Sequence, residues 1–332
     1  MSFRFKLDED VERGARRIAL EQVERAETSL ANDDVPPESI HAVRKSLKRV
    51  RALLRLVRSG LGDDVFKAEN ARYRDIGHLL AGARDRHVMG ATLAGLQTRH
   101  DLKAAVTAPV REALARHPDP SSNGAVPATE AIPEAAKRLA QGRRVLKRLA
   151  VRPAEFSVVQ DGIETGLRSC RKSFHAAYAA DTDEAFHEWR KTVQHHWRHM
   201  HLVARAWPTL LTARAHEARD LSQLLGEDHD LGVLATFVTA AATGLEGKIA
   251  KDVDRLCRAR QRAIRAHAHP LGTRLLAEGG EGLARRIEAY WTAANSAERT
   301  AAALTITATP ERPKPGRSRG EAAAKPVPGA DT

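Results

Sequence analysis

Two stretches of the chain set histidine and cations at helical spacing, the arrangement that would hold a polyanion. In the first, Glu38-Ser-Ile-His41-Ala-Val-Arg44-Lys45-Ser-Leu-Lys48-Arg49, the series His41, Arg44, Lys48, Arg51, Arg55 and Arg58 advances by steps of three and four. Residues so spaced share one face of an α-helix, and Lys45 and Arg49 widen that face. Like charges at these spacings repel by a few tenths of a kcal/mol per pair, and no acid interrupts them here. A charge run is ordinarily a solvated face, but unrelieved repulsion beside a core seam is better explained by an anion. Each charge-assisted contact to phosphate contributes about 1.5–3 kcal/mol. Arginine supplies planar two-point contacts and lysine a point charge.

The second stretch, Glu184-Ala-Phe-His187-Glu-Trp-Arg190-Lys191-Thr-Val-Gln194-His195, repeats the first at a shift of 146 and continues to Arg198. It is thinner, with Gln194 in the place of Lys48 and Trp197 in the place of Arg51. Further on, Arg74-Asp75-Ile-Gly-His-Leu-Leu-Ala-Gly-Ala-Arg84-Asp85 matches Arg219-Asp220-Leu-Ser-Gln-Leu-Leu-Gly-Glu-Asp-His229-Asp230 at a shift of 145. Two landmarks in one order at one shift mark an internal repeat.

Helices must carry these residues. Ile40, Val43, Leu47, Val50, Leu54 and Val57 form an apolar seam one position behind the basic stripe. No alternating β-branched run bounded by hairpin turns occurs, so the fold expected is all-α. The repeat predicts two similar four-helix bundles, about 8–150 and 154–292, packed face to face about an approximate twofold with a basic groove or pore between them. Prolines and small polar residues place a loop at 117–133, and the composition from 295 to 332 predicts a disordered tail.

Composition agrees with an anionic partner. The chain has 332 residues, and 54 Lys and Arg against 42 Asp and Glu give +12, which draws anions. Aromatic residues make up only 4 %, few for stacking bases, so phosphates without bases are the better match. Cys170 and Cys257 stand far apart and point to a reducing cytoplasm. No leader or membrane-length apolar run is present, so a cytoplasmic location is expected.

Weaker signals have plainer readings. Asp85 and Asp230 sit where an aspartate would cap a new helix, and Arg84 and His229 beside them are secondary candidates for the groove. Arg168, Arg171, Arg258 and Arg262 belong to basic clusters on other helices that a solvated face also explains. His195 and His199 are spaced as zinc ligands, yet His196 and Trp197 replace the carboxylate such a motif needs. No metal or other cofactor is expected.

His-x-x-Arg-Lys near the start of a basic helix, then Leu-Leu-x-Gly-x-Arg-Asp or Leu-Leu-Gly-x-x-His-Asp, occurring twice, resembles the CHAD family (conserved histidine α-helical domain) over roughly residues 8 to 292. The resemblance implies two four-helix bundles, binding of inorganic polyphosphate, association with polyphosphate granules and no catalytic residues. It carries His41, Arg44, Lys45 and Lys48, with His187, Arg190 and Lys191, as ligand contacts. Arg49, Arg51, Arg55, His195 and Arg198 extend them along the stripes. Many members follow a triphosphate-tunnel domain, but no Glu-x-Glu-x-Lys strand precedes the first helix here, so a stand-alone module is expected. Two rivals remain: a helical nucleic-acid binder, and a metal-dependent phosphohydrolase of the HD type, for which His229-Asp230 would supply the diagnostic pair.

Overall fold

The computed structural model describes residues 3–32, 35–80, 84–116 and 128–307, the side chains of 37, 84–87, 128–129, 302 and 305–307 excepted. All regular structure among the described residues is helical. The first half holds α1 (Val11–Ser29), α2 (Pro37–Leu56), the one-turn α3 (Arg58–Leu61), α4 (Asp63–Leu79), α5 (Arg84–His100), α6 (Ala104–Arg116) and α7 (Ala128–Leu146). The second holds α8 (Phe156–Ala180), α9 (Asp183–Leu202), a 3-10 turn at Ala204–Ala206, α10 (Pro208–Thr239), α11 (Gly247–Leu275) and α12 (Gly280–Thr307). Residues 1–295 form one compact unit and 296–332 a second, of which 296–307 are described.

Local chemistry sets the helix ends. Asp10 caps α1 by accepting from the Arg13 amide at 2.7 Å, and Thr182 caps α9 by accepting from the Ala185 amide at 3.2 Å. Prolines open α2 and α10 at a position where the missing N–H has no helical partner. Between α8 and α9 the chain turns through Asp181, held left-handed at φ 47°.

The repeat is visible in the elements. α2 and α9 start 146 residues apart, α3 and the 3-10 turn likewise, and α4 and α10 start 145 apart. The halves also exchange backbone bonds: the Phe5 amide donates to Leu202 O at 2.8 Å, and the Arg152 amide to Gly60 O at 2.9 Å. This reciprocity is compatible with an approximate twofold. At the centre α2 and α9 pack on each other, where His199 Nε2 lies 3.0 Å from Ala52 O. α8 presses on α2 so closely that a Cβ on Gly162 would stand 1.9 Å from Leu56 O.

Two apolar cores result, and neither keeps to one half. The larger joins α1, α2, α4 and α7 to α8, α9, the first part of α10 and residues of α11 and α12. The smaller joins α5 and α6 to the second part of α10 and to α11.

Three local expectations give way. α10 runs unbroken through the positions that match both α4 and α5, so Asp230 lies inside a helix and starts none. Buried Leu221, Leu225, Leu231 and Leu234 keep that helix in register, and Asp228 bonds Arg265 Nε at 2.9 Å on α11; tertiary burial and pairing outweigh the local preference of aspartate for a helix start. The loop placed at 117–133 is helical from Ala128, with Pro133 inside α7; burial of Ala131, Ala135 and Leu139 holds the turn against the lost hydrogen bond. Residues 117–127 lie outside the described residues. The tail placed at 295 is helical to Thr307, because Ala-Ala-Asn-Ser-Ala-Glu-Arg-Thr-Ala-Ala-Ala is a strong helix former whatever it buries; residues 308–332 lie outside the description.

A candidate anion-binding site on the facing basic helices

On α2 the seam residues Val43, Leu47, Val50, Leu54 and Val57 are buried, and so are Ala52, Leu53 and Leu56, of which Ala52 meets α9 and Leu56 meets α8. With apolar residues inward on nearly every side, the cations of the later turns are partly enclosed. Arg51 and Arg55 are half-buried, while His41 and Lys45 at the open start of the helix are exposed.

The basic stripes of α2 and α9 come together. His195 on α9 is held well below its ordinary pKa, first by burial and then by the charges of Arg55, His199, Arg198 and Arg51. His187 is lowered by burial, by Lys191 and Arg190 on its own helix, and by Lys48 across on α2. Arg198 is 6 % exposed and is pushed down to about 9 by burial, Arg49 and Arg51. Arg51 is pushed down to about 10 by burial and by the cations Arg55 and Arg74, with Asp75 opposing.

These guanidiniums meet neutral oxygens and rings. Arg51 Nε donates to Asn70 Oδ1 at 3.1 Å, Arg198 Nη1 to Gln194 O at 2.7 Å and Arg44 Nη1 to Gly77 O at 3.0 Å. Arg198 lies 4.2 Å from the Trp197 ring centroid, and Arg55 lies 5.7 Å from that of Phe66. Among the described residues no carboxylate pairs with Arg51, Arg55 or Arg198. Elsewhere in the fold arginines do find acids: Arg17 bonds Glu9 and Glu21, and Arg265 bonds Asp181, Asp183 and Asp228. Arg51, Arg55 and Arg198 therefore keep their positive charge in a partly desolvated place, where an incoming anion is worth most. Neutral acceptors orient the forks without cancelling them.

His187 and His229 stack at 4.1 Å with planes 32° apart, which brings α9 and α10 together at the cluster's edge; His187 Nδ1 is buried without a hydrogen-bond partner. Arg190 passes beside Gly226 of α10, where a Cβ would stand 3.2 Å from its Nη2. Beyond it opens a cleft of about 590 Å³ between α5, α9 and α10, lined by Arg190, Gln194 and Arg99 but also by Glu227 and Asp230.

The residues expected from sequence divide. Lys48, Arg51, Arg55, His187, Arg190, His195 and Arg198 gather on the facing stripes, His229 joins them through its ring contact with His187, and Arg44 lies on the same stripe of α2 but donates to Gly77 O on α4. His41, Lys45 and Lys191 stand at the exposed approaches, and Lys191 pairs with Glu188. Arg49 leaves the stripe: two residues from Arg51 it points the other way, donating to Gln22 Oε1 on α1 at 3.2 Å and lying 5.4 Å from the Phe3 ring. Arg168 pairs with Glu164 on α8, and Arg258 bonds Asp183 at 2.7 Å and Asp254 at 3.4 Å, so their charges are already met by acids. Arg171 and Arg262 are exposed on α8 and α11, and among the described residues no contact links them to the cluster. The Arg84 side chain lies outside the described residues. Sequence reasoning passed over Arg74, Asn70 and Gly226; the repeat could have marked the first, since Arg74 and Arg219 are counterparts.

His199, the second histidine of the zinc-like pair, is fully enclosed, lowered to about 4 chiefly by burial, and holds Ala52 O of α2. It therefore serves the helix crossing. Among the described residues no helix is long and apolar enough to cross a membrane.

A family model described as CHAD domain matches residues 15–239, from within α1 to the last residue of α10. A comparison with curated proteins finds no match.

Proposed function

Since the chain belongs to the CHAD family, we propose that it binds inorganic polyphosphate along the facing stripes of α2 and α9. The observation that carries this reading is the convergence of Arg51, Arg55, Arg198 and His195 with neutral oxygens and rings as their partners. Arg51, Arg55 and Arg198 meet no acid among the described residues, and at the cluster's edge Arg74 pairs with Asp75 at 2.8 Å, so the three central arginines leave charge for a ligand. A linear phosphate chain supplies one negative oxygen after another at a spacing flexible enough to follow a stripe, and it needs no pocket shaped to a base. Association with polyphosphate granules would follow from such affinity.

The module acts in this reading by binding, without turnover. The HD-type alternative leans on His229-Asp230, but His229 lies inside α10 against His187. Purified protein titrated with polyphosphate, with free phosphate measured in the same tube, tests both readings: saturable binding with no release is expected. Metal-dependent release abolished by His229→Ala would overturn the proposal of no catalysis. Arg44→Ala with Lys48→Ala should weaken binding far more than Arg317→Ala with Arg319→Ala in the last residues of the chain; equal effects would mean that net charge alone attracts the ligand. Duplex DNA added at equal phosphate concentration should fail to displace polyphosphate, and displacement would favour nucleic acid as the natural ligand. Affinity should fall steeply with salt as released counterions are replaced.

A further inference from the structure

The repeat gives each residue at the α2–α9 crossing a counterpart, and these counterparts build a second cluster on the other flank. The shift of 146 carries Arg51 to Trp197, Arg55 to His201 and Arg49 to His195, and the shift of 145 carries Arg74 to Arg219. In the first cluster Arg51 and Arg55 of one half meet His195 of the other, with Arg74 beside Arg51. In the second, His201 of α9 meets Arg219 and His216 of α10, Arg49 of α2 and Arg4 before α1. The same scaffold thus presents two related basic sites of different composition.

The second site has exchanged charge for rings. Where the first holds the guanidiniums Arg51 and Arg55, it holds the indole of Trp197 and the imidazole of His201, whose centroids are 5.5 Å apart at 83°. His216 adds a third ring 6.1 Å from His201, and Phe3 stands beside Arg49. Arg198 lies over the Trp197 ring, but Trp197, His201 and Phe3 are only half-buried and His216 is exposed, so part of the ring surface remains open to a ligand. Cations frame these rings: Arg219 is exposed, Arg4 is half-buried, and Arg49 is held by Gln22. Among the described residues none of the three pairs with a carboxylate.

We propose that this second cluster binds a nucleoside phosphate, its phosphates held by Arg4, Arg49 and Arg219 and its base stacked against the rings of Trp197, His201 and His216. A bare phosphate chain gains little from rings, while a base stacked on an aromatic side chain gains substantially and without demanding a particular base. Rings among unpaired cations fit a ligand that carries both groups. The site adjoins the polyphosphate stripe, since Arg198 lies 4.2 Å from the Trp197 ring centroid, but the cations that hold the nucleotide's phosphates are others.

Equilibrium binding of ADP to the full chain, with tripolyphosphate as the ring-free comparison, tests this. One ADP site is expected, lost at least about tenfold by Arg219→Ala with His216→Ala, both exposed positions that should fold normally. A Trp197→Leu variant should lose ADP binding at least about fivefold with tripolyphosphate little changed, as removal of a stacking surface requires. Arg55→Ala should weaken long-chain polyphosphate and leave ADP unaffected, which keeps failure of this site distinct from failure of the polyphosphate reading. No ADP binding, ADP binding that ignores Arg219 and His216, or tripolyphosphate binding as tightly as ADP with the same dependence on these residues would each overturn the proposal.

Discussion

Replacing Arg51 by methionine should make the free protein more stable and a worse binder, a pair of signs that separates a ligand-holding arginine from a structural one. Burial and then Arg55 and Arg74 draw Arg51 well below the ordinary arginine value, down to about 10. At roughly 1.4 kcal/mol per pKa unit that is about 3 kcal/mol of unfavourable charge; screening at a half-buried side chain reduces it to roughly 2 kcal/mol. Because the pKa is lowered in the fold, the penalty is fully present at neutral pH and begins to lift only as pH rises past about 10, vanishing above the ordinary arginine value. Methionine removes it, keeps the apolar stem, and loses the 3.1 Å bond to Asn70 Oδ1, worth about 1 kcal/mol. The net gain is about 1 kcal/mol, or a Tm higher by about 2 °C for a unit of this size. Against polyphosphate of one fixed length, loss of one charge-assisted contact at about 1.5–3 kcal/mol should weaken binding roughly tenfold to a hundredfold. The slope of log K against log salt should become shallower by about one. Thermal melts and titrations at two salt concentrations measure all three. A lower Tm with unchanged affinity would refute the reasoning, because Arg51 would then be a packing residue whose bond to Asn70 outweighs its charge.

Further outcomes follow from the same geometry. His199 sits at about 4 chiefly through burial, so the stability that its neutral form contributes is intact above pH 6.5 and is lost as pH falls toward 4, by roughly 3 kcal/mol; melts of the free protein from pH 7.5 to 4.5 should show the decline, and a flat curve would mean the ring charges without cost. His187 is likewise lowered, by burial, Lys191 and Arg190, and a bound polyanion should favour its charged form, so polyphosphate affinity should rise as pH drops from 7.5 to 5.5 and rise less in His187→Gln, as titrations across that range would record. Gly162→Ala would force a methyl to within 1.9 Å of Leu56 O; since a backbone carbonyl cannot swing aside, chemical denaturation should register a loss of roughly 3–5 kcal/mol. Asp228→Asn leaves Arg265 without its most buried partner at 1 % exposure, and denaturation should show a loss of roughly 3 kcal/mol, with little effect on ligand affinity because the bonds of Asp228 run to Arg265 and Gln261 and not to the basic residues of the stripes.

The helices and their basic stripe were legible because the three-and-four spacing of Val43, Leu47, Val50 and Leu54 beside Arg44, Lys48, Arg51 and Arg55 admits only one regular structure. The repeat was legible as well, and it located both α2 and α9 with the same offset that the elements show. What a local pattern could not carry was how those helices meet. Aspartate before an apolar run looks like a cap whether or not a helix continues through it, and at Asp230 the buried leucines and the Asp228–Arg265 bond continued it.

Sequence by itself determined the fold class, the duplicated order of elements and the charge of two helical faces, since each depends on residues within a few turns of one another. Tertiary structure decided which cations share one site. Arg258 and Arg168 look no different from Arg198 along the chain, yet acids at Asp183 and Glu164 meet the first two, while Arg198 is enclosed beside Arg49 and Arg51. Arg49 and Arg51 are near neighbours that the helix turns toward different flanks. Charge is a property of a residue, but the energy of that charge depends on the groups the fold brings within a few ångströms of it, and those come from distant parts of the chain.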